Sequence, residues 1–260
     1  MGILNVTPDS FSDGGHFDNI HIALRQAVTM AEEGAAIIDI GGESTRPGSN
    51  SVSAQEEQDR IVPVIEAVKS VTDVPISVDT SKAEVMRAAV AAGASMINDI
   101  CALRGDGALE AAADLRVPVC LMHMQGEPRT MQQNPVYDDV VADVAAFLDE
   151  RITACVKAGI PEGLIVVDPG FGFGKTHQHN VELLANLRQL RVRNRPILVG
   201  VSRKSTLGQI TQREVHERMP ASVAAAVVAV MNGAAIIRAH DVQASVDAIK
   251  VARAVMDASE

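Results

Sequence analysis

Eight short apolar runs recur along the chain, and each ends at a polar or charged residue. MGILNV ends around Asn5, AIIDI passes Asp39 into Glu43-Ser44-Thr45-Arg46, and PISVD ends at Asp79. SMIND ends at Asn98-Asp99, VPVCLMH at His123, and LIVVD at Asp168. PILVG runs into Ser202-Arg203-Lys204, and AAIIRAH ends at Arg238 and His240. An apolar run of this length, bounded by breakers, reads as a strand buried on both faces, which is the habit of parallel sheets. Polar residues at the C-terminal ends of such strands are where an α/β barrel keeps its active site.

The 260 residues match the roughly 250 of one (β/α)8 barrel. The expected fold is therefore a TIM barrel, with residues 1–260 as a single domain. Apolar residues make up 47% but aromatics only 2%, so the core must be aliphatic. A net charge of −10, with no run of Lys or Arg, leaves no electrostatic footprint for nucleic acid or an anionic membrane. Any anionic ligand needs a local basic cluster. Cys101, Cys120 and Cys155 match no zinc or CxxC spacing and read as reduced thiols of a cytoplasmic protein. The apolar stretch from Ala221 to Ile237 is broken by Ser222, Asn232 and Gly233, too short and interrupted to cross a bilayer.

Helical patterns fill the gaps, over about 18–33, 53–70, 81–92, 107–115, 137–158, 179–190, 221–232 and 243–257. Ser53 stands three residues before Glu56, the spacing of a capping box. Gly34, Gly93, Gly159 and Gly233 each follow a helical run, where a C′ glycine belongs. Right-handed βα units repeated eight times favour a closed sheet. Three connections after strand ends are long: Thr7 to Phe17, Gly41 to Val52, and Gly170 to His179. The first two are expected to move without ligand and to close over it.

Asp79, Asn98 and Asp168 end three different strands and so converge on the axis. Each alone could be a helix cap. Together, two carboxylates and an amide suit the polar edge of a heterocycle, such as the adjacent N–H donors of a 2-amino-4-oxo ring. Arg238 and His240, two apart on one strand, share a face and can grip one anion, with Arg46 and Lys204 adding charge. Ser202-Arg203-Lys204-Ser205 opens a helix whose N–H groups suit a small carboxylate. Asn5, beside Asp9 and Asp13, is a weak metal ligand alone, but it fits a Mg²⁺ that arrives on a diphosphate. The segment from Gly170 to Thr176 looks like a phosphate loop, yet Pro169 stands where a Walker A motif needs glycine. It reads better as a glycine-rich turn carrying Phe173 toward the site. His123 reads as a packed core histidine, and His177, His179 and His216 have no metal spacing.

With GILNVTPDSFSDGG (2–15), ESTRPG (43–48), DPGFGFGK (168–175), GVSRKS (200–205) and IIRAHD (236–241) in order, the chain resembles the dihydropteroate synthase family from end to end. The resemblance implies a TIM barrel that joins 6-hydroxymethyl-7,8-dihydropterin diphosphate to p-aminobenzoate, releasing diphosphate. It implies a pterin pocket of Asp79, Asn98, Met122, Asp168, Gly200 and Lys204. It places p-aminobenzoate at Phe11, Thr45, Arg46, Pro47, Phe173, Lys204 and Ser205. Asn5, Arg46, Arg238 and His240 fall at the diphosphate, with Asn5 as the Mg²⁺ ligand.

The catalytic set is then Asp79, Asp168, Lys204, Arg238 and His240. Departure of diphosphate before attack by the arylamine, with no covalent enzyme intermediate, is the expected course, and sulfonamides are expected to compete with p-aminobenzoate. Family members usually carry a short segment before the first strand. Its absence from this sequence is expected to affect stability rather than chemistry. The alternatives are the pterin-binding barrel of corrinoid methyltransferases, a catalytically silent pterin-binding module, and, less well matched, a metal-dependent barrel hydrolase. The first has no use for the loops at 7–15, 43–48 and 202–205. The second does not explain Lys204, Arg238 and His240, and the third would want a His pair where Asn5 stands. A homodimer through the Ala/Val-rich helix 221–232 is also expected, because that helix is apolar on most faces.

Overall fold

The computed structural model describes residues 1–7, 16–44 and 51–258. Strands and helices alternate throughout. The order is β1 (Gly2–Asn5), α1 (His16–Glu32), β2 (Ile38–Gly41), α2 (Ala54–Val71), β3 (Ile76–Asp79), α3 (Ala83–Ala92), β4 (Met96–Asp99) and α4 (Ala108–Leu115). It continues with β5 (Val119–Met122), α5 (Val140–Lys157), β6 (Ile165–Asp168), α6 (His177–Ala185), β7 (Leu198–Val199), α7 (Ser205–Thr211), α8 (Met219–Met231), β8 (Ile236–Ile237) and α9 (Val242–Asp257). Each of the eight apolar runs holds a strand. Two helical spans differ from expectation. The span 179–190 breaks after Ala185, where the Asn186 side chain donates to the Glu182 carbonyl at 3.0 Å and a 3₁₀ turn, Leu187–Leu190, follows. The extra helix α7 is absent from the expected set because STLGQIT is short and carries no amphipathic period.

All strand pairs are parallel. β1 to β6 form one ladder in chain order, and β7 pairs with β8. The two seams are held by single parallel bridges, Val167 to Ile197 and Gly2 to Ala239. At the second seam, Ile3 N donates to Ala239 O at 3.1 Å and Ala239 N to Met1 O at 3.0 Å. These bridges link the six-stranded and two-stranded sheets at both seams, an arrangement consistent with a TIM barrel.

Capping follows the sequence closely. Ser53 Oγ accepts from Glu56 N at 3.1 Å. The reciprocal half of the expected box is missing, because Glu56 turns to Arg60 at 2.5 Å instead. Gly34, Gly93, Gly159 and Gly233 take φ of 93°, 121°, 96° and 100°, the left-handed turn that closes a helix. Cys120 and Cys155 are buried, while Cys101 is only half-buried. Among the described residues, no helix is long and apolar enough to cross a membrane.

Alternation along the strands divides two apolar layers. Ile38, Ile40, Ile76, Val78, Ile97, Val119, Leu121, Ile165 and Val167 belong to the main core with the helices. Met96, Cys120, Val166 and Leu198, with Met1, Ile37 and Ile236, form a separate cluster that fills the barrel. Two residues further along each strand lies the same face. That step turns Met96 into Asn98, Cys120 into Met122, Val166 into Asp168, Leu198 into Gly200, and Ile236 into Arg238. A polar layer thus sits directly on an apolar plug, at the C-terminal ends of the strands.

Candidate active site

Register sets that layer. Asn5 pairs with Gly41, Gly41 with Asp79, and Asp79 with Asn98. Across the ring, Met122 pairs with Asp168. Gly41 leaves the row open beside Asp79, since a Cβ there would stand 3.3 Å from the Asp79 Cβ. The structure therefore brings together Asn5, Asp79, Asn98 and Asp168 at strand ends and Arg238 just after β8, with Met122 and Gly200 beside them. Phe11, Thr45, Arg46 and Pro47 lie outside the described residues, as do Asp9 and Asp13. The expectation of mobile first and second loops falls largely there too.

Arg238 is held against two carboxylates on neighbouring strands. Its Nε donates to Asp39 Oδ2 at 2.6 Å, and its Nη2 to Asp79 Oδ2 at 2.8 Å. Asn98 Nδ2 donates to the same Asp39 oxygen at 3.1 Å. Burial alone would weaken the charge on Arg238. Asp39 and Asp79 outweigh it and push the guanidinium further toward its charged form. Burial also raises the Asp79 carboxyl from 3.8 to about 7, with Arg238 pulling the other way and Asp39 adding to the rise. Asp168 is raised by burial too, opposed first by Lys204 and then by the bond it accepts from Gly170 N at 2.7 Å.

Arg238 and His240 follow β8 two residues apart but have different partners. Ser202 Oγ lies 2.9 Å from His240 Nδ1 and accepts from its backbone N–H at 3.2 Å. The idea of two side chains meeting one anion is thus refined: two of Arg238's donors are already committed to the barrel wall. Arg203, at φ 59°, turns away to Asp241, which its Nε and Nη2 grip at 3.1 and 2.5 Å.

The turn after β6 is glycine-rich for a steric reason. Gly170 has φ 67°, and a Cβ there would come within 1.8 Å of the His123 carbonyl oxygen. Gly174, at φ 60°, would meet the Gln125 carbonyl at 2.3 Å. Lys175 fastens the turn from inside. Its Nζ lies 2.9 Å from His123 Nδ1 and donates to Gly170 O at 3.0 Å and Phe173 O at 2.9 Å. Burial drives both groups toward neutrality: the lysine falls well below its ordinary value, and His123 falls to about 3. No phosphate cradle is needed to explain this lysine, and His123 is the structural residue expected.

On the outer side of the turn, Lys204 Nζ donates to the Phe171 carbonyl and lies 4.7 Å over the Phe173 ring, a cation–π distance. Burial lowers Lys204 to about 8, while Asp168 holds its charge on. Ser205 is exposed at the start of α7, next to Lys204.

Three features escaped the sequence reading. Asp39, fully buried, joins Arg238 to Asn98. Asp99 accepts from Ser81 Oγ and from Cys101 N and Leu103 N, both at 2.7 Å, so it shapes the turn after β4 rather than the mouth. Lys82 pairs with Glu43 and with buried Glu57 at 2.5 Å. For Asp39 and Glu57, the available signal was a carboxylate at an apolar-phase position, which calls for a buried cation.

Among the described residues, no three His, Cys, Asp or Glu side chains gather as a metal-binding group. Asn5, half-buried at the end of β1, offers one hard amide oxygen. That donor set does not suit a bare ion but fits one brought mostly coordinated by a diphosphate and water.

Residues 1–240 match the pterin binding enzyme family. The chain is 53% identical over 260 residues to the dihydropteroate synthase of Escherichia coli K12, covering all of this chain and 92% of that protein. It superposes on the Yersinia pestis dihydropteroate synthase, solved with a sulfonamide drug complex, with a TM-score of 0.95. That pair is 54% identical, and the match covers 99% of this chain and 94% of the other. A Xanthomonas albilineans dihydropteroate synthase in complex with 7,8-dihydropteroate gives a TM-score of 0.90 at 52% identity, covering 98% and 92% of the two chains. A strand-end layer of this composition and similarity across nearly the whole length lead to one conclusion: the chain belongs to the pterin-binding enzyme family and, within it, to the dihydropteroate synthases, transferases of folate synthesis.

Proposed function

We propose that this enzyme condenses 6-hydroxymethyl-7,8-dihydropterin diphosphate with p-aminobenzoate, giving 7,8-dihydropteroate and diphosphate. The observation that carries the reading is the layer of Asp79, Asn98, Asp168 and Arg238, with Lys204 reaching toward it from the start of α7. Asp168 faces the amino-pyrimidine N–H edge of a pterin and Lys204 its oxo side, Asp79 and Asn98 face the opposite edge, and Arg238 with His240 faces the diphosphate. Met122 and Gly200 leave an apolar wall and open space for a flat ring. Phe173, Lys204 and Ser205, with Phe11, Thr45, Arg46 and Pro47, receive p-aminobenzoate, where sulfonamides compete. Asn5 would hold a Mg²⁺ that comes with the diphosphate, and the ion would neutralise charge on the leaving group when bound.

The bond between the pterin methylene and the diphosphate oxygen breaks first, with its electron pair leaving on diphosphate. Arg238 and His240 stabilise that charge, and Asp79 and Asp168 stabilise the cation left on the methylene. The arylamine nitrogen then forms the new C–N bond and loses its proton to solvent. No protein nucleophile takes part. Diphosphate release is expected only when both substrates are present, and a sulfonamide should raise the apparent KM for p-aminobenzoate without lowering kcat. Release that does not respond to p-aminobenzoate would favour a hydrolase, and no release with both substrates present would favour a silent binding module.

The whole chain acts as one domain in the cytoplasm. It pairs with a second copy through α8 and α9, where Met219, Val228, Met231, Val251 and Val255 are exposed. Sedimentation at micromolar concentration is expected to give a dimer, and Val228→Glu a monomer. A monomeric parent protein would overturn this part.

A further inference from the structure

We propose that Asp39 is a positioning residue that fixes the Arg238 guanidinium for the diphosphate and ties it to Asn98. The proposal rests on the reading above, since it concerns the same site. Asp39 lies inside β2, and its side chain is fully buried. One oxygen, Oδ2, takes a donor from Arg238, just after β8, and another from Asn98 in β4. The other, Oδ1, has no protein donor within reach among the described residues.

Stability alone does not explain such a group. A buried carboxylate with an unpartnered oxygen is costly, and a buried ion pair can often be replaced by apolar side chains of similar volume without loss. The layer below is built that way, from Met96, Cys120, Val166 and Leu198. A local rule broken at a site is what a functional demand leaves behind.

The demand is orientation. Arg238 has five N–H donors. Nε goes to Asp39 and one Nη2 hydrogen to Asp79, which leaves three for an anion. Two anchors on adjacent strands fix the plane of the guanidinium, whereas one anchor leaves it free to turn. Asp79 cannot serve alone, because it is also offered to the pterin and its carboxyl takes up a proton near pH 7. Asp39 is the anchor that stays.

Asp39→Asn tests this. The amide oxygen still accepts from Asn98 but offers Arg238 no charge. We expect kcat/KM for the pterin diphosphate to fall about 30-fold, the scale of one charge-assisted hydrogen bond. The KM for p-aminobenzoate and the affinity for 6-hydroxymethylpterin, which has no diphosphate, should change less than about threefold. In an Arg238→Met background the same substitution should cost almost nothing more, because the two residues act as a unit.

Wild-type turnover by Asp39→Asn, equal loss for pterin with and without diphosphate, or additive losses in the double variant would each overturn the proposal. Asp39→Ser serves the same comparisons if the asparagine protein does not fold. A wild-type protein that releases no diphosphate overturns the functional reading itself; a competent wild type with an unaffected variant overturns only this inference.

Discussion

Asp168→Asn is expected to lower kcat/KM for the pterin diphosphate about 1000-fold, while the melting temperature moves by no more than about 3 °C. Asp168 ends β6 inside the mouth and is only 6% exposed. As a carboxylate it offers acceptors alone, which suits a ring edge made of adjacent N–H donors. Asparagine would turn an NH₂ group toward one of those donors and leave it buried and unpaired. Sites built to hydrogen-bond a substrate lose the most from such a mismatch. Folding should survive, because the amide oxygen still accepts from Gly170 N, as the carboxylate does, and the main-chain carbonyl of this residue still accepts from His123 N at 2.9 Å. Steady-state kinetics with a melting curve separates the two effects. A loss under about tenfold would move the ring away from Asp168.

Asp79→Asn is expected to cost about 100-fold in kcat/KM and yet to stabilise the fold above neutral pH. The carboxyl is raised from 3.8 to about 7, because burial disfavours its charge more than Arg238 favours it. The folded protein therefore keeps this proton where the unfolded chain has lost it. Stability from that proton is fully present below about pH 4 and is lost as pH rises through about 7. Asparagine cannot ionise, and Arg238 retains Asp39 as its counter-charge. Urea unfolding should give the variant a higher midpoint than wild type at pH 8, and no advantage at pH 4. A lower midpoint at pH 8 would mean that Arg238 needs both carboxylates to stay buried. In the wild type, kcat/KM should fall below about pH 7 as Asp79 takes up its proton, and above about pH 8 as Lys204 loses its own.

The strand-end layer was legible because parallel strands turn chain order into geometry. An apolar run that stops at Asp79, Asn98 or Asp168 places that residue at the mouth, whatever its neighbours are. Asp39 was harder to read. Its strand runs on for two more residues to Gly41, so it looks like an interruption of the run rather than its end. Only the alternation Ile37, Asp39, Gly41 puts it inside the barrel, and only the need of Arg238 for a counter-charge explains it. Lys175 misleads in the opposite way. Its glycine-rich setting resembles a phosphate loop, but the glycines are there because His123 and Gln125 carbonyls crowd the turn. Helix α7 was invisible to periodicity because seven residues give less than two turns of pattern. The anchor of Lys82 between Glu43 and Glu57 joins three elements that no local spacing connects.

A crystal structure of the protein with 6-hydroxymethylpterin bound tests the central claim most directly. The amino-pyrimidine edge is expected within hydrogen-bonding distance of Asp168, with Lys204 on the oxo side and Asp79 and Asn98 on the opposite edge. A ring seated away from this strand-end layer, or one whose N–H edge meets neither carboxylate, would contradict it.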